Sequence, residues 1–355
     1  MGDFTERVKR KNKYNLSKLP LTISAKYGLV DQITFFNKIV ASTDMSNYYL
    51  LKKGEFAYNK SYSNDYPWGA IKRLDNYEQG VLSALYICFT TQDNVESDFI
   101  LQYFESPKWH KSVSEIAVEG ARNHGLLNIS VQDFFQTYHY VPKEKKEQTK
   151  IATLLHLIDE RISTQNKIIE KLESLIKGIR NDVFGKLRES VGFNAMIGDV
   201  LSYEQPQSYL VKDTEYTNGG TPVLTANKAF VLGYTSEIEG IYDKGDCIIF
   251  DDFTLDCKYV DFSFKVKSSA IKILTAKNKE LLRYTFEFLK YLDLSTEEHK
   301  RHYITETQNQ EFILPTVQII RTIAHAFYAL SLWKETIVKQ RYAFEKQKQY
   351  LLRQM

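Results

Sequence analysis

The side chains with chemical potential in this chain gather in short polar clusters. In the first half these are Ser24, Lys26 and Tyr27; Asn59, Lys60, Ser61 and Tyr62; and Arg122, Asn123 and His124. In the second half they are Thr225, Asn227 and Lys228; Asp251 and Thr254; and Lys300, Arg301, His302 and Tyr303. Lys and Arg suit phosphate oxygens. Asn offers a donor and an acceptor to an adenine edge, Lys donates to guanine, and Ser, Thr and Tyr serve a phosphate or a base. Asp251 would be costly beside phosphates but can accept from a cytosine amino group. Each residue also has a plainer reading, as a solvated loop side chain or a turn former, so the clusters count for more than their members. The basic opening, Arg7, Lys9, Arg10, Lys11 and Lys13, suits phosphates, but reads more simply as a solvated arm.

Catalytic constellations are missing. There is no Asn-Pro-Pro-Tyr-like or Asp-Pro-Pro-Tyr-like motif for amino methylation, no GxxxxGK[ST], no GxSxG and no HExxH. Gly219-Gly-Thr-Pro222 lacks the lysine of a phosphate loop, and Glu144-Lys-Lys146 is more simply a charged linker. His299 and His302 are close in sequence but have no partners in a metal constellation, so no metal is expected. Three cysteines without a CxxC argue against a zinc site or a disulfide framework, and make the cytoplasm the default compartment. No apolar run reaches 18 residues, so no membrane is expected, and the first residues have no apolar segment of a secretory signal. A net charge of +3 neither demands nor excludes nucleic acid.

The elements that must position the clusters are clearer. Over 147–185, Ile151, Leu155, Ile158, Ile162, Ile169, Leu172, Ile176, Ile179 and Val183 recur in steps of four and three, with Gln165 as the one polar interruption. That is a heptad seam, and a polar seam residue such as Gln165 can set register. Leu154, Leu157, Ile168 and Leu175 widen the stripe beyond what one partner helix needs. A second seam, Ile323, Leu330, Ile337, Phe344 and Leu351, ends the chain; its companion positions turn basic after Phe327, at Lys334, Arg341 and Lys348. Two such helices most simply pack against each other.

Each helix is preceded by a related stretch: Pro142 before Ile151-Ala152, and Pro315 before Ile323-Ala324. Gly2-Asp3-Phe4 and Gly198-Asp199-Val200 open the two halves alike. The chain therefore reads as module, helix, module, helix, with boundaries at 1–141, 142–190, 195–314 and 315–355 and a short link at 188–194. Both modules look mixed α and β, the second shorter. Strands are expected at Tyr48–Leu51, Val81–Phe89, Cys247–Phe250 and Ala270–Leu274, and short helices at Ser97–Phe104 and Lys279–Leu292.

The stretch Glu147-Gln-Thr-Lys-Ile-Ala152, with Leu157-Ile-Asp-Glu160 and Asn181-Asp-Val-Phe184, resembles the central spacer helix of type I restriction–modification specificity subunits. Leu21–Ser24, Gly54–Lys60 and Asn128-Ile129 resemble the first recognition domain of that family, and Pro222–Thr225, Ile248–Asp252 and Lys267–Ser269 the second. The second helix departs from the pattern in lacking an Asp-Glu pair like Asp159-Glu160. The resemblance implies an α+β fold with two pseudo-repeated target recognition domains, each followed by a long helix, the two helices packed as an antiparallel coiled coil. It implies a chain without catalysis of its own that reads a bipartite target in double-stranded DNA. It implies two methyltransferase subunits and two restriction subunits as partners, with S-adenosylmethionine, ATP and Mg²⁺ belonging to them. The clusters above would then be DNA-binding. Two other readings stay open: a coiled-coil scaffold whose modules bind proteins, and the specificity partner of a fused restriction–methylation enzyme.

Overall fold

A computed structural model describes residues 1–24, 27–38, 41–63, 66–117, 125–226, 229–296, 298 and 300–355. Among these, no helix is long and apolar enough to cross a membrane. The chain forms two compact units, one of residues 1–165 with 340–355 and one of 166–339. Each takes a share of both long helices, Lys145–Ser190 and Val317–Gln354. At about 1.5 Å per residue the first is about 69 Å long. Its 46 residues lie within the expected segment 142–190 and continue the heptad stretch 147–185 at both ends, and the helix absorbs part of the expected 188–194 link. It ends where Gly192 takes φ +73° and the amides of Val191 and Gly192 both donate to Leu187 O, the left-handed glycine stop that closes many helices.

The first unit is built on an antiparallel sheet ordered Thr5–Arg7, Ile87–Thr91, Phe56–Asn59, Ala70–Arg73. Successive strand side chains point to opposite faces, and here both faces are covered. Phe56, Tyr58, Ile71 and Phe89 share a core with Phe99, Ile100, Tyr103 and Phe104 of the helix Ser97–Glu105. Ala57, Ala70 and Cys88 face a second core with Leu51 and Leu82. The expected strand Val81–Phe89 is in fact two, Gln79–Leu82 and Ile87–Thr91, because the chain turns at 83–86 to change partner from Tyr49–Lys52 to Phe56–Asn59. The basic opening is not an arm: Thr5–Arg7 is an edge strand, and Arg10 holds the Glu55 carboxylate at 2.6 Å.

The second unit repeats the plan. Its sheet is ordered Leu201–Glu204, Ile271–Ala276, Cys247–Asp251, Cys257–Val260, again first, last, second, third along the chain. Ile248, Phe250 and Leu274 face a core that includes Leu282, Phe288 and Leu289 of the helix Leu281–Leu292, while Cys247, Ile249 and Ile273 face another with Phe264 and Val266. Gly2 and Gly198 lie just before equivalent edge strands, and each is pressed against a backbone carbonyl, of Phe135 and of Gln308. That close approach is the physical content of the repeated Gly-Asp.

Within each unit the two helical segments run antiparallel. In the first, Lys348 Nζ meets both Asp159 oxygens at 2.6 and 2.8 Å, while Ile151 and Ala152 share a core with Met355. In the second, Lys334 pairs with Glu173 at 2.6 Å, and Arg180 lies over the Phe327 ring. The expected seam positions are all at least half-buried, with Leu155, Ile158, Leu172, Ile323 and Ile337 fully so. The basic companion positions Lys334 and Lys348 are the cationic halves of these helix-to-helix ion pairs.

Two predictions test this packing. Gly69 has φ +78°, and a Cβ there would stand 2.2 Å from Asn59 O; Gly54, at φ +85°, faces open space. Gly69→Ala should cost about 2–3 kcal/mol by urea denaturation and Gly54→Ala about 1 kcal/mol; equal losses would show that the Asn59 contact does not set the cost. His139 sits between the Tyr103 hydroxyl and the Thr137 hydroxyl, at 3.0 and 2.8 Å. Burial, and the positive amino terminus beside it, push its pKa down from 6.5 to about 4. The unfolded state therefore binds the proton first, so stability present above pH 6.5 is lost as pH falls toward 4. His139→Gln should flatten thermal stability across that window, and an unchanged slope would exclude His139 as its source.

Candidate nucleic-acid interface

The first module brings two of its expected clusters to one place. Asn59 ends a sheet strand, and its Oδ1 accepts from Ser61 N at 3.0 Å, turning the chain outward. The next residues then run against 125–127 as a short ribbon. Leu127 N donates to Lys60 O, Tyr62 N donates to Gly125 O, and Ser61 pairs with Leu126. Lys60 Nζ reaches Ile129 O at 3.2 Å, and Ser61 and Tyr62 are exposed. Arg122, Asn123 and His124, which precede this ribbon, lie outside the described residues, as do Lys26, Asn227 and Lys228. At the tip of the hairpin Leu21–Ser24 with Gly28–Asp31, Tyr27 is 59% exposed and its amide donates to Ser24 Oγ. Ser24 itself is buried, so its hydroxyl shapes the tip and does not face a ligand.

In the second module several expected contacts turn out to be internal. Asp251 is buried, and its Oδ1 accepts from the amides of Phe253 and Thr254, both at 2.9 Å. It closes the turn between Cys247–Asp251 and Cys257–Val260, so its Oδ1 is committed to the backbone and not offered to a base. Thr254 is exposed on that turn. Asp252, 1% exposed, accepts from His302 N and Tyr303 N and sits 3.3 Å from the ammonium of Lys272, which is wholly buried. Tyr303 consequently lies in the core against Phe250 and Tyr203. His302 is buried with its ring nitrogens at Glu306 and at Glu298 O; its bond to Glu306 raises its pKa. Lys300 is exposed but already held by Glu298 and Glu306 at 2.6 and 2.9 Å. Of that cluster only Arg301 is exposed without a described ion pair, while Thr225 is half-buried with its amide on Phe230 O.

Residues outside the expected clusters do the anchoring. Gln148, 1% exposed, accepts from Glu96 N at the start of the helix Ser97–Glu105 and donates to Pro142 O. Gln102 of that helix donates to Asp159. In the second unit, Glu287 accepts from Arg180 at 2.7 Å and meets Arg283 at 3.0 Å. The three thiols are buried, which pushes Cys88 and Cys247 up to about 12 and Cys257 to about 11. Among the described residues, no group of three or more His, Cys, Asp or Glu side chains is placed to hold a metal. A cavity of about 900 Å³ in the first unit is lined by Asp3, Glu115 and Asp133 together with the amino terminus of Met1, His139 and Lys143.

No protein-family model matches the chain. Over 126 residues, 34% of its length, it is 46% identical to the Type I restriction enzyme EcoR124I/EcoR124II specificity subunit of Escherichia coli; the match spans 31% of that relative. The crystal structure of the type I restriction–modification S subunit from M. genitalium matches over 99% of this chain and 93% of that one, with a TM-score of 0.62 and 15% identity. A chain from a structural study of type I R-M complex assembly and conformational transition matches over 99% and 95%, with a TM-score of 0.54 and 13% identity. The chain thus has the fold of the type I restriction–modification S subunits and, over a third of its length, is similar in sequence to a specificity subunit of that class.

Proposed function

We propose that this chain is the DNA sequence-specificity subunit of a type I restriction–modification complex and performs no catalysis itself. The 46% identity to a specificity subunit carries the reading. The repeated strand order gives it a physical basis, since a split target needs two readers built alike but with different loops. In the first module the readers would be Tyr27 and the ribbon of Asn59, Lys60, Ser61 and Tyr62; in the second, Thr225, Thr254 and Arg301. Arg122, Asn123, His124, Lys26, Asn227 and Lys228 stay with them as proposed contacts. The long helices would set the interval between half-sites, because a helical pair fixes distance and phase where a flexible linker fixes neither.

Two methyltransferase subunits and, in the larger assembly, two restriction subunits would be the partners, and S-adenosylmethionine, ATP and Mg²⁺ would be theirs. Leu154, Leu157 and Leu175 on the central helix are each about half exposed and outside the seam, which suits a surface that a methyltransferase subunit covers.

Co-expression with a type I methyltransferase subunit, followed by sequencing of methylated DNA, should give a two-part motif with a fixed gap. Exchanging residues 195–314 should change one half only, and deleting one heptad from each long helix should change the gap. A tight complex that leaves DNA unmodified would favour a protein-binding scaffold and overturn the reading.

A further inference from the structure

The segment 12–18 is held far more firmly than a solvent loop needs. Asn12 is wholly buried; its Nδ2 donates to Ser17 O at 2.9 Å and Met45 O at 3.3 Å, and its Oδ1 accepts from Ser17 N at 2.9 Å. Asn12 N donates to Tyr48 O, and Asn15 Oδ1 accepts from Met45 N. Lys11 lies over the Tyr49 ring and donates to Asn47 O. This bracket forces two successive non-glycine residues into the left-handed region, Tyr14 at φ 60° and Asn15 at φ 53°. Asn tolerates that conformation; Tyr does not favour it. The result is that Tyr14 stands 93% exposed and Leu16 65% exposed, with Lys13 and Lys18 exposed beside them. Asp44, from the facing segment, has its carboxylate on Ser46 N.

A strained backbone that holds an aromatic and an aliphatic side chain out in water is retained where the strain serves contact. We infer that the loop Asn12–Ser17 is a braced wedge for duplex DNA: Tyr14 and Leu16 press against base steps in a groove while Lys13 and Lys18 take phosphates on either side. Apolar wedges flanked by cations are how proteins open a groove and bend a duplex. The flanking lysines favour DNA over a protein partner, whose anchor would be an apolar centre depleted of charge. This inference rests on the specificity reading and adds a contact that the polar clusters do not contain.

The test uses the full chain assembled with methyltransferase subunits and a duplex carrying the motif found by methylation mapping. Tyr14→Gly with Leu16→Ala should weaken specific binding by about tenfold, with the melting temperature and methyltransferase co-purification unchanged, because glycine accepts the left-handed φ. Lys13→Ala with Lys18→Ala should lower the slope of log affinity against log salt by about two. Wild-type affinity and slope in both variants would overturn the wedge while leaving the specificity reading intact. Loss of co-purifying methyltransferase would make the loop a protein contact and also overturn it. A wild-type complex that prefers no duplex would defeat the specificity reading, and the wedge with it.

Discussion

Buried charge that must stay paired is the constraint on which this architecture turns. Glu287 is 2% exposed and holds Arg180 of the central helix and Arg283 of its own helix; Arg283 in turn reaches Phe327 O on the C-terminal helix. Removing Glu287 would leave Arg180 and Arg283 without their shared carboxylate in a low-dielectric core, at about 3–5 kcal/mol. In the first unit Asp159 does a milder version of the same work, gathering Gln102 and Lys348. In both units, therefore, the helix that follows the last sheet strand is tied through polar atoms to both long helices. Apolar burial supplies most of the attraction there, but it is non-directional; the polar junctions fix which turn meets which.

Both sheets are covered on two faces, which lets the strands be short without leaving apolar surface in water. It also accommodates the many aromatic residues: Phe56 stacks on Phe89 and Tyr58 on Phe134 in one core, and Phe184, Tyr284, Phe288 and Phe312 meet edge to face in another. With both sheet faces given to packing, the exposed side chains of the candidate clusters stand on turns and hairpin tips. The two modules differ most in these peripheral segments. The first presents a ribbon at 60–62 with 125–127, and the second a three-stranded sheet of Val231–Thr235, Thr221–Leu224 and Lys265–Val266.

Loops that hold their side chains in fixed positions need a rigid backbone more than reactive groups. The structure supplies rigidity by side chains that bond to backbone: Asn59 turning its strand end, Asp251 closing its hairpin, Asn12 bracketing a loop, Asp252 pinning two amides. Several of these are residue types that also read bases, which is why a polar cluster in sequence has two meanings.

The heptads, the twin proline and Gly-Asp markers and the absence of catalytic motifs were legible from the sequence alone, because helix periodicity and backbone restrictions act locally. The helices fall within the expected segments 142–190 and 315–355, and every seam residue lies on the covered side, since a period of 3.5 needs no knowledge of the partner. The split of 79–91 into two strands was not legible, because strand pairing is decided by distant partners. Nor was the fate of Asp251, His302 and Tyr303: only the tertiary structure places Lys272 beneath Asp252, and a buried ammonium demands an anion there and draws the neighbouring segment into the core. The opposite held for Tyr14, which looked like one tyrosine among 24. A buried asparagine and a facing loop more than thirty residues away turned it outward, and no local pattern encodes that.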